Sequence, residues 1–296
     1  MRIGVDLGGT KIEAIAIDGV RELLRRRVSA PRGDYVGTVA AMRDLVAGIE
    51  RELGVTGTVG VGIPGAISGA TGLVKNANST WLIGQALNRD LERALGRPVR
   101  LMNDANCFTL SEAIDGAAQD ARTVFGVILG TGTGGGIVVD RQVIEGRHRI
   151  AGEWGHNPLP WPRDDERPGP ACYCGRAGCI ETFLSGPGLS AAYAAATGRR
   201  AEAAGIAALA EAGDADANVV LDLYESRLAR SLASIINVLD PDVIVLGGGV
   251  SNIARIYDRL PALVKPFVFS DSADTPIVPA RHGDSSGVRG AAWLWP

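Results

Sequence analysis

The chain has 296 residues, 46 % of them hydrophobic and 21 % charged, with a formal net charge of −3. That length supports two domains with their own cores, and with no basic excess neither nucleic acid nor an anionic membrane surface is an expected partner. No apolar run approaches the ~20 residues that span a bilayer, no leader is recognised ahead of Arg2-Ile3-Gly4-Val5, and four cysteines, three of them clustered, do not make a disulfide framework, so a cytoplasmic protein is expected.

Ile3–Leu7, Lys11–Asp18 and Glu22–Val28 read as three strands joined by tight turns. Apolar residues at helical spacing predict a helix over Tyr35–Leu53, capped by Gly54. Next come a strand at Thr58–Ile63 stopped by Pro64-Gly65, a helix through Leu91–Leu95 ended by Gly96, and a strand at Val99–Met102. A helix over Ala105–Ala118 then puts Asn103-Asp104 at a strand-to-helix junction. Thr123–Leu129 restarts the pattern: a strand, a glycine loop over Gly130–Gly136, then a strand at Ile137–Val139. This repeats the layout of Ile3–Ile17 and suggests two similar halves, each offering one phosphate-facing hairpin. Helices follow around Leu189–Ala196, Ala201–Glu211 and Ala217–Leu239, then a strand at Val243–Leu246 ending in Gly247-Gly248-Gly249, a helix over Ile253–Lys265 and a closing helix over Ser286–Leu294. Strands alternating with helices indicate α/β architecture. The expected boundary lies near Ala118: an N-terminal domain over 1–118, a C-terminal domain over 119–284, and the last helix, 285–296, packing back on the first.

Asp6-Leu7-Gly8-Gly9-Thr10-Lys11 places an acid, two glycines, a hydroxyl and an ammonium on one turn. Glycines let backbone N–H groups approach a phosphate, and Thr10 and Lys11 can donate to its oxygens. Asp6 suits the water shell of a Mg²⁺ ion. An ordinary hairpin turn is the alternative. Gly130, Gly132 and Gly135 satisfy the dinucleotide spacing G-x-G-x-x-G, but that fingerprint must open a helix, and Ile137-Val138-Val139 reads as a strand. A dehydrogenase is therefore rejected. A hairpin whose Gly130, Thr131, Gly132, Thr133 and Gly134 backbone faces a nucleotide phosphate fits better. Gly247, Gly248 and Gly249 would let an adenine lie against the backbone.

Cys172, Cys174 and Cys179 fall within eight residues and are joined by His156, one of three histidines in the chain. Three thiolates and an imidazole are a closed tetrahedral zinc set with a structural rather than catalytic role. Cys107 stands apart and reads as a small core residue. Glu153 and Glu181 bracket the metal set, and the second nitrogen of a metal-bound His156 keeps a proton to donate. A donor and two acceptors at fixed positions suit a sugar; solvated loop charge is the alternative. Asn76, Asn78, Ser79 and Thr80 add polar groups beside Trp81. Phosphoryl transfer to an alcohol needs a carboxylate to take its proton, and Asp104 is the candidate, its alternative being a helix N-cap.

DLGGTK at Asp6–Lys11, LGTGTGGG at Leu129–Gly136, GEWGH at Gly152–His156 and CYCGRAGCIE at Cys172–Glu181 resemble the ROK (repressor, open reading frame, kinase) family, over nearly the whole chain. NANSTW at Asn76–Trp81, AGEWGHNPLPW at Ala151–Trp161 and RHGDSSGVRGAAWLW at Arg281–Trp295 look most like its bacterial fructokinases of the manno(fructo)kinase type. The resemblance implies an actin-like ATPase (ribonuclease H-like) fold of two α/β domains around a cleft that closes on the sugar. It implies ATP and Mg²⁺ against the two glycine loops and a hexose as acceptor, fructose first, with glucose or an N-acetylated hexosamine as alternatives. By position Asp104 matches the family's catalytic base, Asn78, Asn103, Glu153, His156 and Glu181 its sugar contacts, and His156, Cys172, Cys174 and Cys179 its zinc ligands. Many members are homodimers. A sugar-sensing repressor branch carries an added N-terminal helix-turn-helix, for which the five residues before Asp6 leave no room.

Overall fold

The structure is a computed structural model that describes residues 1–283 and 286–296. Asp284, and Ser285 with which the closing segment was expected to begin, lie outside the described residues. In chain order the elements are β1 (Arg2–Leu7), β2 (Lys11–Asp18), β3 (Arg21–Ser29), α1 (Tyr35–Leu53), β4 (Thr58–Ile63), β5 (Ala66–Ile67), β6 (Val74–Lys75) and α2 (Leu87–Leu95). They continue with β7 (Val99–Asn103), α3 (Asp104–Ile114), β8 (Thr123–Leu129), β9 (Thr133–Val139), β10 (Gln142–Val143), α4 (Ile180–Leu184), α5 (Gly186–Thr197) and α6 (Ala203–Glu211). The last are α7 (Ala215–Leu239), β11 (Val243–Gly247), α8 (Arg255–Val264), β12 (Ile277–Pro279) and α9 (Ser286–Ala292).

The chain divides into two compact units. The first holds Met1–Gln119, Arg141–Ala151 and the C-terminal segment. Its sheet runs β3-β2-β1-β4-β7, antiparallel through β3, β2 and β1 and parallel through β1, β4 and β7. Helix α1 starts where Asp34 accepts from the Gly37 N–H at 2.9 Å and stops at Gly54, whose φ of 67° no bulky residue adopts readily. It buries Met42, Leu45, Val46 and Ile49 among Ile3, Val5, Val59 and Val61 of the sheet. Helix α9 lies so close to this sheet that a Cβ on Gly60 would stand 1.9 Å from the Ala291 carbonyl oxygen. Strand residues without side chains admit the helix backbone, which is how the end of the chain joins the unit its beginning built.

The second unit holds Asp120–Asp140 and Gly152–Gly283. Within it β9, β8, β11 and β12 lie in that order, β9 antiparallel to β8 and the other three parallel. The 25-residue α7 buries one face, with Val220, Leu221, Tyr224, Leu228 and Leu232 among its buried residues, and the Tyr224 hydroxyl finds the Leu184 carbonyl at 2.9 Å. The order β2-β1-β4-β7 in one sheet and β9-β8-β11-β12 in the other is the same, down to which neighbours are antiparallel. Each unit is thus α/β, and the shared order is the ribonuclease H-like layout of actin-like ATPases.

Four readings change. The glycine loop expected over Gly130–Gly136 is only Gly130-Thr131-Gly132, because β9 already begins at Thr133. Helix α3 ends at Ile114 rather than at Ala118, where Asp115 leaves helical geometry. Arg141–Ala151 clusters with the first unit instead of with the residues around it in sequence. Short β5, β6, β10, β12 and α4 carry too few residues to show a period.

Candidate active site

The predicted residues fall in both units, and each set is described within its own. In the first, Asp6 stands near the end of β1, Asn103 ends β7 and Asp104 opens α3. Asp6 is set against positions that lack side chains: a Cβ on Gly62 would come within 3.4 Å of its Oδ1, and one on Gly287 within 3.6 Å. Burial, reinforced by the negative charges of Asp104 and Glu13 and opposed by Lys11 and Arg27, pushes the Asp6 carboxyl up to about 7. Two crowded acids of this kind are relieved by a cation. The turn beside them closes where the Gly8 N–H donates to the Lys11 carbonyl at 3.0 Å.

The capping role falls to Asn103, whose Oδ1 accepts from the Ala105 N–H at 3.0 Å and the Asn106 N–H at 3.3 Å. Its amide Nδ2 donates to the Gly65 carbonyl at 3.0 Å. Asp104 is partly exposed, with Oδ1 accepting from the Ala105 N–H at 2.8 Å. Asn78 is exposed and Thr10 also faces solvent. Ser79, next to Asn78, is 2 % exposed, has no hydrogen-bond partner for Oγ among the described residues, and sits 3.7 Å from where a Cβ on Gly9 would be. Sequence put Ser79 in a polar cluster; only the fold puts it beside the glycine turn.

In the second unit the ligand atoms of His156, Cys172, Cys174 and Cys179 all lie within 4.8 Å of one another. Cys172 Sγ is 3.5 Å from His156 Nδ1, and Cys174 Sγ is 3.6 Å from Cys179 Sγ. Tetrahedral bonds of ~2.3 Å to sulfur and ~2.0 Å to nitrogen require edges of roughly 3.8 Å between sulfurs and roughly 3.5 Å between sulfur and nitrogen. The set therefore fits one zinc-sized ion. Burial and the facing thiols push Cys179 up to about 12. Cys107, by contrast, is fully buried on α3, in keeping with a core role.

The second ring nitrogen of His156 is engaged: Nε2 lies 3.0 Å from the Tyr173 hydroxyl, with the rings edge to face at 5.1 Å. Burial, then the nearby carboxylates of Glu181 and Glu153, push the Tyr173 hydroxyl up to about 12. Tyr173 thus joins His156, Glu153 and Glu181 in one polar group, which spacing alone did not reveal. Glu181 itself accepts from the Thr133 N–H at 2.9 Å.

A cavity of about 890 Å³ opens in the same unit, lined by Gly130, Thr131, Gly186, Ser190, Arg200 and Glu202, with Gly249 and Val250 along another wall. Of the predicted donor residues, Gly130, Thr131 and Gly249 face it. Gly132 abuts Glu181, Gly134 gives its carbonyl to Trp154, and Gly248 presses on the Leu129 carbonyl. Thr133 is buried and its Oγ1 has no hydrogen-bond partner among the described residues. The walls from α5 and α6 escaped sequence reading; the signal was the Gly-Pro-Gly opening of α5 and the alanine-rich run after Arg200.

Residues 2–296 match the sequence model of the ROK family. The chain is 43 % identical over 299 aligned positions to the N-acetyl-D-glucosamine kinase of Aliivibrio salmonicida, covering 99 % of each. Among solved structures it is similar to a ROK hexokinase from Thermus thermophilus, with a TM-score of 0.87 and 34 % identity over 98 % of this chain and 96 % of that one. It is also similar to a ROK family glucokinase from Streptomyces griseus in complex with glucose and AMPPNP, with a TM-score of 0.81 and 29 % identity over 99 % of this chain and 98 % of that one. With the glycine hairpins, the paired acids and the Cys/His cluster all in place, the chain belongs to the ROK family.

Proposed function

We propose that this protein is an ATP-dependent sugar kinase that phosphorylates the C6 hydroxyl of N-acetyl-D-glucosamine. The full-length similarity to an N-acetyl-D-glucosamine kinase carries the choice of sugar. It displaces the expectation of fructose. The cavity beside Gly130 takes the adenosine of ATP, with the hairpin turn toward its phosphates. The acceptor is read by Asn78, Asn103, Glu153, His156 and Glu181, with Tyr173 holding the His156 nitrogen until a sugar hydroxyl replaces it. Ser79 supplies one more donor beside the first glycine turn. His156, Cys172, Cys174 and Cys179 would hold a zinc ion, which would fix the polar loop, and Asp6 would help hold a Mg²⁺ ion, which would neutralise phosphate charge.

In the transfer step the Asp104 carboxylate takes the proton of the C6 hydroxyl while the hydroxyl oxygen bonds to the γ-phosphorus. The bond from that phosphorus to the β–γ bridging oxygen breaks, and its electron pair leaves on ADP. Lys11 and Thr10 donate to phosphate oxygens. A cytoplasmic location and a homodimer belong to the same reading. For the homodimer, the second unit offers exposed Val238 and Phe269, and a Trp161 ring tilted against Phe267 with centroids 5.4 Å apart; light scattering tests it.

The deciding assay measures ADP release from ATP–Mg over N-acetylglucosamine, N-acetylmannosamine, glucose, mannose and fructose. We expect the highest kcat/KM with N-acetylglucosamine. A preference for fructose would restore the first expectation, and no turnover with any hexose would remove the kinase reading.

A further inference from the structure

We propose that Glu181 and Trp154 are positioning residues for the nucleotide: they hold the donor hairpin from the two arms of the Cys/His cluster, before any sugar arrives. This rests on the reading that the cavity beside Gly130 takes a nucleotide. The first arm is Cys179, which immediately precedes α4. Two residues on, Glu181 Oε2 accepts the Thr133 N–H at 2.9 Å. The same oxygen would lie 2.5 Å from a Cβ on residue 132, so a side chain there would push the carboxylate off the turn. The second arm is His156. Two residues before it, Trp154 Nε1 donates to the Gly134 carbonyl at 3.0 Å, with its ring edge-on to Phe125 at 5.6 Å. Between the arms, a Cβ on Gly155 would stand 2.0 Å from the Thr133 carbonyl oxygen.

Two consecutive residues of β9 are therefore gripped by side chains that each sit two positions from a residue of the cluster. The turn they anchor, Gly130-Thr131-Gly132, lines the cavity at Gly130 and Thr131. On its far side the Gly186 N–H donates to the Gly130 carbonyl at 2.8 Å, tying the turn to the start of α5. Within the turn itself the Gly130 N–H donates to the Gly132 carbonyl at 2.9 Å. Glu181 thus serves the donor side, whatever it also offers a sugar.

The test is calorimetric titration of the metal-loaded protein with AMPPNP–Mg in the absence of sugar, with metal content and melting temperature measured on every variant. Loss of one charged acceptor from a buried amide predicts that Glu181→Ala weakens nucleotide affinity about ten- to a hundred-fold with metal content unchanged. Glu181→Gln keeps a carbonyl oxygen for the Thr133 N–H and stays within about threefold of wild type. Trp154→Phe keeps the ring against Phe125, loses the donor, and weakens affinity about three- to tenfold; it carries the test if Glu181→Ala melts early. Wild-type affinity in both Glu181→Ala and Trp154→Phe overturns the inference while leaving the kinase reading intact, as does a Glu181→Gln loss equal to that of alanine. A wild-type chain that binds no adenine nucleotide removes the donor reading first and this inference with it.

Discussion

The hairpins β1–β2 and β8–β9 occupy equivalent places in sheets of the same strand order, yet different forces hold them. Behind the first lies a strand of its own sheet. Glu13 on β2 is 1 % exposed and receives Arg25 at 3.1 Å and Arg27 at 2.6 Å, both from β3. The second is reached in addition by loops that carry the Cys/His cluster, which grip β9 through Trp154 and Glu181. A sheet edge stabilised by cross-strand pairs is complete once folded. One stabilised by a ligand set is complete only when the ligand is there. The duplicated architecture therefore gives the second hairpin a side-chain support, anchored beside the Cys/His cluster, that the first lacks.

The sharpest way to break this contrast is Cys174→Ser. Cys174 is exposed, so the change opens no cavity, and any loss reports on coordination. Removing a direct ligand should cost more metal affinity than the roughly 10–100-fold lost with an outer-shell partner, and the second unit should melt early because its metal affinity is folding energy. Metal analysis and thermal melting check this. Equal zinc content and an unchanged melt would show that the cluster does not hold the hairpin's support in place.

Next in size is Asp104→Asn, which addresses the unit without the Cys/His cluster. Loss of a general base predicts a kcat lower by about 10²–10⁴-fold. Sugar and nucleotide affinities should hold, since Asn103 and not Asp104 supplies the side-chain cap of α3 to the Asn106 N–H. A variant that loses affinity and turnover together would make Asp104 a structural residue.

The contrast also explains what could be read from the chain and what could not. Helix α1 was legible end to end because its caps, Asp34 and Gly54, and its apolar spacing are all local. The first glycine turn was legible for the same reason. The second was misread past Thr133, because Gly134, Gly135 and Gly136 look like loop until Trp154 is placed against them: a Cβ on Gly135 would lie 2.9 Å from the indole. That neighbour is 19 residues away in sequence, and no period announces it. That His156, Cys172, Cys174 and Cys179 would cluster was readable from chemistry and spacing; Ser79, Tyr173 and the alanine-lined wall of the cavity were not, since their meaning comes from what the fold brings beside them.

The smallest expected effect sets two buried acids of the two units against each other. Burial and the neighbouring charges of Asp104 and Glu13 push Asp6 up to about 7. Against an unfolded value of ~3.9, a raised carboxyl contributes stability that is present below about pH 4 and lost as pH rises through about 7. Glu166 is the reverse case. Burial opposes its charge, but Arg230 grips it with bonds of 2.9 and 2.8 Å, the Arg163 N–H at 2.9 Å and Arg227 at 2.9 Å, and together they hold it at about 2. Against ~4.3 unfolded, its contribution is present above that pH and lost as pH falls toward 2. Each shift of roughly two to three units corresponds to about 3 kcal/mol. In melts without Mg²⁺ or nucleotide, Asp6→Asn, whose amide stands in for the protonated acid, should therefore lie close to wild type near pH 4 and above it at pH 8. Glu166→Gln should be well below wild type at pH 7 and converge with it only as pH falls toward 2. Parallel pH slopes for wild type and Asp6→Asn would mean that the first glycine turn carries no stored repulsion for a cation to relieve, and the electrostatic half of the comparison would fall.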